Sequence, residues 1–110
     1  MRGEDNSRCP LDGWHALGLM SGTSVDGLDV ASVQFFQDAQ TKAWSFTMNT
    51  FMTLPYPEAL RGQLWHAMTF GAEDLMRLDT AWAQWTGKKI ETWMKSAGVP
   101  PPHVVGSHGH

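Results

Sequence analysis

The turn Ser21-Gly22-Thr23-Ser24-Val25-Asp26-Gly27 limits the fold of this chain more than any other stretch. It lies between two apolar runs, Trp14 to Met20 and Leu28 to Phe36, each the length of a strand. Asp26-Gly27 is a strong reversal dipeptide, so the two runs are expected to pair antiparallel. Glycine admits φ > 0 and the close approach of another group, and Gly22 and Gly27 bracket the turn. Thr23 and Ser24 add hydroxyls to a run of backbone N–H groups, a concave donor set that suits a phosphate. Spacing alone leaves two readings open: a purely structural hairpin or an anion-binding loop.

The rest of the chain reads as further strands and two helices. In the second run, Leu28, Val30 and Ser32 share one face and Ala31, Val33 and Phe35 the other. Apolar residues on both faces imply a strand covered on both sides. Gln37 to Thr41 is a polar turn. Ala43 to Leu54, with Trp44, Phe46, Met48, Phe51 and Leu54, is the third strand of an antiparallel meander. Pro55-Tyr56-Pro57 ends the sheet, and Pro57 suits the first turn of a helix expected to reach Thr69. Leu60, Leu64 and Met68 would line one face of that helix. Phe70-Gly71 separates it from a longer helix, Ala72 to Ala97, with Leu75, Leu78, Trp82, Trp85, Ile90 and Trp93 on one arc. Asp79 and Lys89 fall within or beside that arc. Gly98 and Pro100-Pro101-Pro102 stop this helix, and His103-Val104-Val105 starts a fourth strand. Met1 to Gly13 is polar and aperiodic and reads as a flexible leader.

Composition narrows the function classes. The 110 residues suffice for one small domain with a modest core. The net charge is −3 and no lysine or arginine cluster occurs, which disfavours nucleic-acid binding. A single cysteine, Cys9, excludes an internal disulfide framework and fits a reducing compartment. No apolar run approaches bilayer length, and no apolar h-region follows the N-terminal arginine, so a cytoplasmic protein is expected. Six tryptophans and seven methionines are many for this length. Trp65, Trp82, Trp85 and Trp93 are expected in core packing or interfaces, and any left exposed would promote association.

Gly18-Leu19-Met20-Ser21-Gly22-Thr23-Ser24-Val25-Asp26-Gly27-Leu28-Asp29 closely resembles the opening signature of the anhydro-N-acetylmuramic acid kinases, members of the sugar kinase, Hsp70 and actin superfamily. Val105-Gly106-Ser107-His108-Gly109-His110 is similar to the family's Gly-Ser-His-Gly-Gln-Thr stretch, with His110 where the family has Gln. The resemblance covers residues 14 to 110. It implies an α/β fold: an incomplete ribonuclease-H-like/actin-like ATPase domain with a three-strand antiparallel meander, helices, then a further parallel strand. Family members are much longer, so 14–110 is expected to be the N-terminal part of the first ATPase domain, with 1–13 as leader.

The same resemblance implies a kinase that cleaves the 1,6-anhydro ring with water and phosphorylates the sugar from ATP with Mg²⁺. The product would be N-acetylmuramic acid 6-phosphate, in peptidoglycan recycling, and the full-length parent would be a homodimer. Carried over, Gly22, Thr23, Ser24, Val25, Asp26, Gly27, Leu28 and Asp29 form the ATP loop. Gly22 and Gly27 would admit the phosphates, and Thr23 and Ser24 would donate to them. Asp26 would hold Mg²⁺ or its water, the alternative being a turn residue bonded to its own backbone. Asp29 needs a donor partner or a site role. Ser107 and His108 would face the sugar. No stretch matches the family's catalytic aspartate motif, so the chain alone is expected to be inactive. Metal binding by His103, His108 and His110 is a competing reading, without the cysteine or carboxylate partners of a usual zinc site. His15 and His66 are isolated and read as structural or exposed. Two further classes stay open: another sugar kinase or ATPase of the superfamily, and a non-catalytic α/β binding module.

Overall fold

The computed structural model describes residues 9–22 and 24–108. Strand β1 (Trp14–Ser21) pairs antiparallel with β2 (Gly27–Gln37), from Trp14↔Phe35 to Ser21↔Leu28. Strand β3 (Trp44–Pro55) adds antiparallel to β2, from Gln37↔Trp44 to Gly27↔Pro55. Ser32 faces Thr50 while Val33 faces Met48, so Asn49 is the extra residue of a β-bulge. Strand β4 (Val104–Ser107) lies parallel to β1, and the sheet order is β3-β2-β1-β4. The fold is α/β as expected, with the meander first and a parallel strand after the helices. The ladders run closer to the turn than the apolar runs indicate. β1 ends at Ser21 rather than Met20, β2 spans 27–37 rather than 28–36, and β3 spans 44–55 rather than 43–54.

The expected first helix divides in two. Helix α1 covers Glu58–Trp65, and a single 3₁₀ turn covers Ala67–Thr69. Between them His66 leaves helical geometry (φ −99°, ψ 8°), and its carbonyl accepts the Thr69 hydroxyl at 2.7 Å. Leu60 and Leu64 are buried as expected, but Met68 lies past the break and is fully exposed. Helix α2 runs Ala72–Ala97, the expected bounds. Glu73 and Asp74 sit in its first turn, where the helix dipole favours acids. Gly98 ends it in the left-handed region (φ 69°), donating its N–H to the Met94 carbonyl. No helix among the described residues is long and apolar enough to cross a membrane.

The helices cover one face of the sheet. Leu17, Leu28, Val30 and Leu54 point to that face and pack with Tyr56, Leu60, Leu64, Leu78 and Trp93. Leu28 and Val30 are 0% exposed, each stabilising the fold by about 1.5–3 kcal/mol. Trp82, Trp85 and Ile90 are half-buried against this core, whereas Leu75 and Trp65 are exposed. The opposite face is not covered by any described element, contrary to the two-sided cover expected of β2. Trp44, Phe46, Met48 and Phe51 are exposed there because both helices pack on the other side.

Met1 to Arg8, in the expected leader, lie outside the described residues. The following residues touch the sheet. The Cys9 thiol approaches the Phe35 carbonyl at 3.9 Å, and Gln34 Nε2 donates to the Asp12 carbonyl at 2.7 Å. Gly13 (φ 80°) leaves no room for a Cβ, which would meet the Phe35 carbonyl oxygen at 2.8 Å.

Candidate functional site

The β1–β2 loop and the end of β4 lie at one end of the sheet. The loop from Gly22 to Asp26 leaves the C-terminal end of β1, and Gly106-Ser107-His108 lies at the C-terminal end of β4. Because β1 and β4 are parallel, their C-terminal ends lie on the same side, with Gly18 opposite Gly106 and Leu19 opposite Ser107. The His108 N–H donates to the Leu19 carbonyl at 2.9 Å, tying the residue after β4 to β1. The ends of parallel strands are where open sheets build sites. Asp29 and His108 line a common shallow groove of about 380 Å³ with Gly18, Met20, Ala31, Phe51 and Gly106.

The first loop owes its shape to Val25 rather than to its glycines. Val25 has φ 57°, a region that β-branched residues avoid. Gly22 and Gly27, expected to provide positive φ, do not adopt it. Val25 is 3% exposed and plugs the core, and its N–H donates to the Gly22 carbonyl at 3.1 Å. Burial of the isopropyl group holds the backbone in this strained turn. The two glycines have different reasons to be there. A Cβ on Gly27 would meet the Leu54 carbonyl oxygen at 2.5 Å, so this glycine permits the close passage of β3. A Cβ on Gly22 would meet nothing nearer than Ser24 Oγ at 4.0 Å, so its face is open.

The loop's polar groups are placed as follows. Thr23 lies outside the described residues. Ser24 and Asp26 are exposed, and the Asp26 carboxylate lies 3.6 Å from Arg61 Nη2 on α1. Leu28 is core. Asp29 is half-buried on the open face, and Thr53 Oγ1 donates to its Oδ1 at 2.6 Å. The donor that a carboxylate needs there is supplied by β3. Ser107, the last residue of β4, and His108 after it are exposed. An open backbone face at Gly22, beside an exposed hydroxyl and an exposed carboxylate, fits a phosphate and its cation.

The histidines do not assemble as a metal site. His103 and His108 sit at opposite ends of β4, roughly 16 Å apart along the strand, and His110 lies outside the described residues. Among the described residues no three histidine, cysteine or acidic side chains cluster suitably for a metal. His15 is buried rather than isolated. Its backbone N–H donates to His103 Nδ1 at 3.0 Å, its ring stacks on His103 at 5.8 Å, and its Nε2 lies 3.2 Å from Asp12. That hydrogen bond from His15 holds the Asp12 carboxyl below its usual value. His66 is exposed.

Several contacts at the site carry no local sequence signature. Tyr56, read above only as part of a strand end, donates its hydroxyl to Ser21 Oγ at 2.7 Å and accepts Trp82 Nε1–H at 2.8 Å. Arg61 and Thr53 are likewise distant in sequence from the loop they touch. The one available cue was that Tyr56 is the only tyrosine and is set between two prolines.

Three antiparallel strands, with a fourth added in parallel after a helical crossover, define part of an actin-like ATPase domain. The chain belongs to the anhydro-N-acetylmuramic acid kinase family, whose model matches residues 14–110. It is similar to the anhydro-N-acetylmuramic acid kinase of Pseudomonas putida, 35% identical over 98 residues that cover 84% of this chain and 25% of the relative. The kinase of the same name from Acaryochloris marina is 34% identical, with 86% of this chain and 25% of the relative covered. That of Gloeobacter violaceus is 46% identical over 56 residues, 51% of this chain and 14% of the relative. The chain thus spans about a quarter of the length of the first two relatives.

Proposed function

We propose that this chain supplies the phosphate-binding loop and part of the sugar-facing wall of an ATP-dependent kinase acting on anhydro-N-acetylmuramic acid. The carrying observation is the loop after β1, with its open face at Gly22 and strain at Val25, at the same end of the sheet as Ser107 and His108. Residues 14–110 are then the start of the first ATPase domain of a longer enzyme. Phosphoryl transfer asks mainly for positioning and charge neutralisation, which suits backbone and hydroxyl donors on a rigid turn.

In this reading the backbone at Gly22, with the Thr23 and Ser24 hydroxyls, binds phosphate oxygens. Asp26, whose carboxylate lies 3.6 Å from Arg61, would hold magnesium or its water when the ion is bound. Asp29, fixed by Thr53, orders the base of the loop. Ser107 and His108 hydrogen-bond the sugar. When bound, Mg-ATP supplies the phosphoryl group for the sugar 6-oxygen. Opening of the 1,6-anhydro ring by water needs a carboxylate base, which this reading assigns to chain beyond His110. The 110 residues alone are therefore inactive. Family membership supports a cytoplasmic, homodimeric enzyme of peptidoglycan recycling.

The test is turnover of 1,6-anhydro-N-acetylmuramic acid and Mg-ATP by the full-length gene product, following ADP and the 6-phosphate, with Asp26→Ala alongside. Product that depends on Asp26 is the expected result. Turnover of another sugar would replace the substrate. A folded protein that binds no nucleotide would leave a non-catalytic module.

A further inference from the structure

We propose that Tyr56 is the positioning residue of the nucleotide loop, gripping both of its ends and locking them to helix α2. The inference rests on the reading of Gly22–Asp29 as the ATP loop. Tyr56 is 6% exposed and reaches the loop twice. Its hydroxyl donates to Ser21 Oγ at 2.7 Å, the last residue before the loop. Its backbone N–H donates at 3.3 Å to the carbonyl of Asp26, the last residue before β2.

The direction of the hydroxyl bond follows from chemistry. The Trp82 indole N–H is a donor only, so at 2.8 Å the Tyr56 oxygen must accept it. The single phenolic hydrogen is then directed to Ser21. The ring packs on Trp85 at 4.9 Å, which fixes its plane. Trp82 and Trp85 are both on α2, so the loop is referenced to that helix through one side chain.

A loop with a strained residue needs surroundings that over-determine it. Val25 is strained at φ 57°, and Tyr56 closes the loop around it from both sides. Small misplacements of a phosphate cradle cost rate and affinity, so a fixed frame has a functional consequence beyond packing.

The experiment compares Tyr56→Phe, Ser21→Ala and their double variant in the full-length protein, with Asp26→Ala as the loop control. Tyr56→Phe keeps the ring and removes the hydroxyl. The expected result is a rise of about five- to tenfold in KM for Mg-ATP, the scale of one lost hydrogen bond, with the sugar KM unchanged. The double variant should be no worse than the more affected single variant. Amide exchange of residues 22–29 should quicken. If Tyr56→Phe does not fold, Trp82→Phe carries the same expectation with a smaller rise. A lowered melting temperature with unchanged KM for Mg-ATP would reduce Tyr56 to packing. If Asp26→Ala also leaves that KM unchanged, the loop reading itself fails and the positioning role falls with it.

Discussion

Thr53 Oγ1 donates to Asp29 Oδ1 at 2.6 Å, so a residue of β3 fixes a carboxylate at the mouth of the β1–β2 loop. The pair separates structural from functional roles of Asp29. Thr53→Val should lower unfolding stability by about 0.5–1.5 kcal/mol, measured by urea titration, while nucleotide binding persists at reduced strength. Asp29→Asn keeps a neutral acceptor for Thr53 and removes the charge. It should cost little stability and, since the Thr53 bond that orders the base of the loop survives, weaken Mg-ATP binding less than Thr53→Val does. Unimpaired binding by Asp29→Asn would confine the residue to the sheet.

Gly22 and Gly27 should respond oppositely to the same change. Gly27→Ala forces a methyl to within 2.5 Å of the Leu54 carbonyl oxygen. It should destabilise the fold by about 1–3 kcal/mol. Gly22→Ala meets open space and a permitted φ, so stability should change by less than about 0.5 kcal/mol. Its nucleotide affinity should nevertheless fall. Thermal unfolding and Mg-ATP titration on the two variants check both halves.

Val25→Gly sets two effects against each other. Removing the side chain loses about 1.5–3 kcal/mol of buried apolar contact. Releasing the left-handed strain returns about 1–2 kcal/mol. Net stability should therefore fall by no more than about 2 kcal/mol, while the loop loses its plug and binds Mg-ATP more weakly. A large stability loss in calorimetry would show that the strain at φ 57° is small.

The β2–β3 turn should be acid-sensitive. Asp38 Oδ1 accepts the Gln40 and Thr41 N–H groups, each at 2.8 Å. The Thr41 and then the Gln40 bond hold its carboxyl below the usual value. A lowered carboxyl pKa stabilises the fold fully above the unfolded value, about 3.9, and the effect is lost as pH falls through the folded value. Asp38→Asn should thus be less stable than wild type at pH 7, with the gap closing below about pH 3.9. Unfolding midpoints measured from pH 7 to 2.5 test this. A constant gap would assign the turn's stability to shape rather than charge.

Much of the fold was legible because its signals are local. Asp26-Gly27 announced the hairpin, Gly98 and three prolines ended α2, and the Val104-Val105 run marked β4. The family motifs pointed to both halves of the candidate site. What escaped depends on contacts between residues far apart in sequence. Gly22 drew the expectation of positive φ because glycine tolerates it freely, yet burial placed the strain on Val25. Tyr56 and Ser21 are 35 residues apart, and no periodicity encodes such a bond. The alternation in β2 was read as two-sided cover, whereas both helices pack on one side and leave Phe46 and Phe51 exposed on the other.

The parallel pairing of Ala16 with Val104 also sets a clock. The meander closes through short turns and can zip locally, but β4 must wait for the helical crossover to bring distant chain back to β1. Only at that last step does the end of β4 come beside the end of β1. Acquisition of nucleotide binding should therefore lag formation of the hairpin, and a chain stalled before β4 docks would hold that hairpin without β4 beside it.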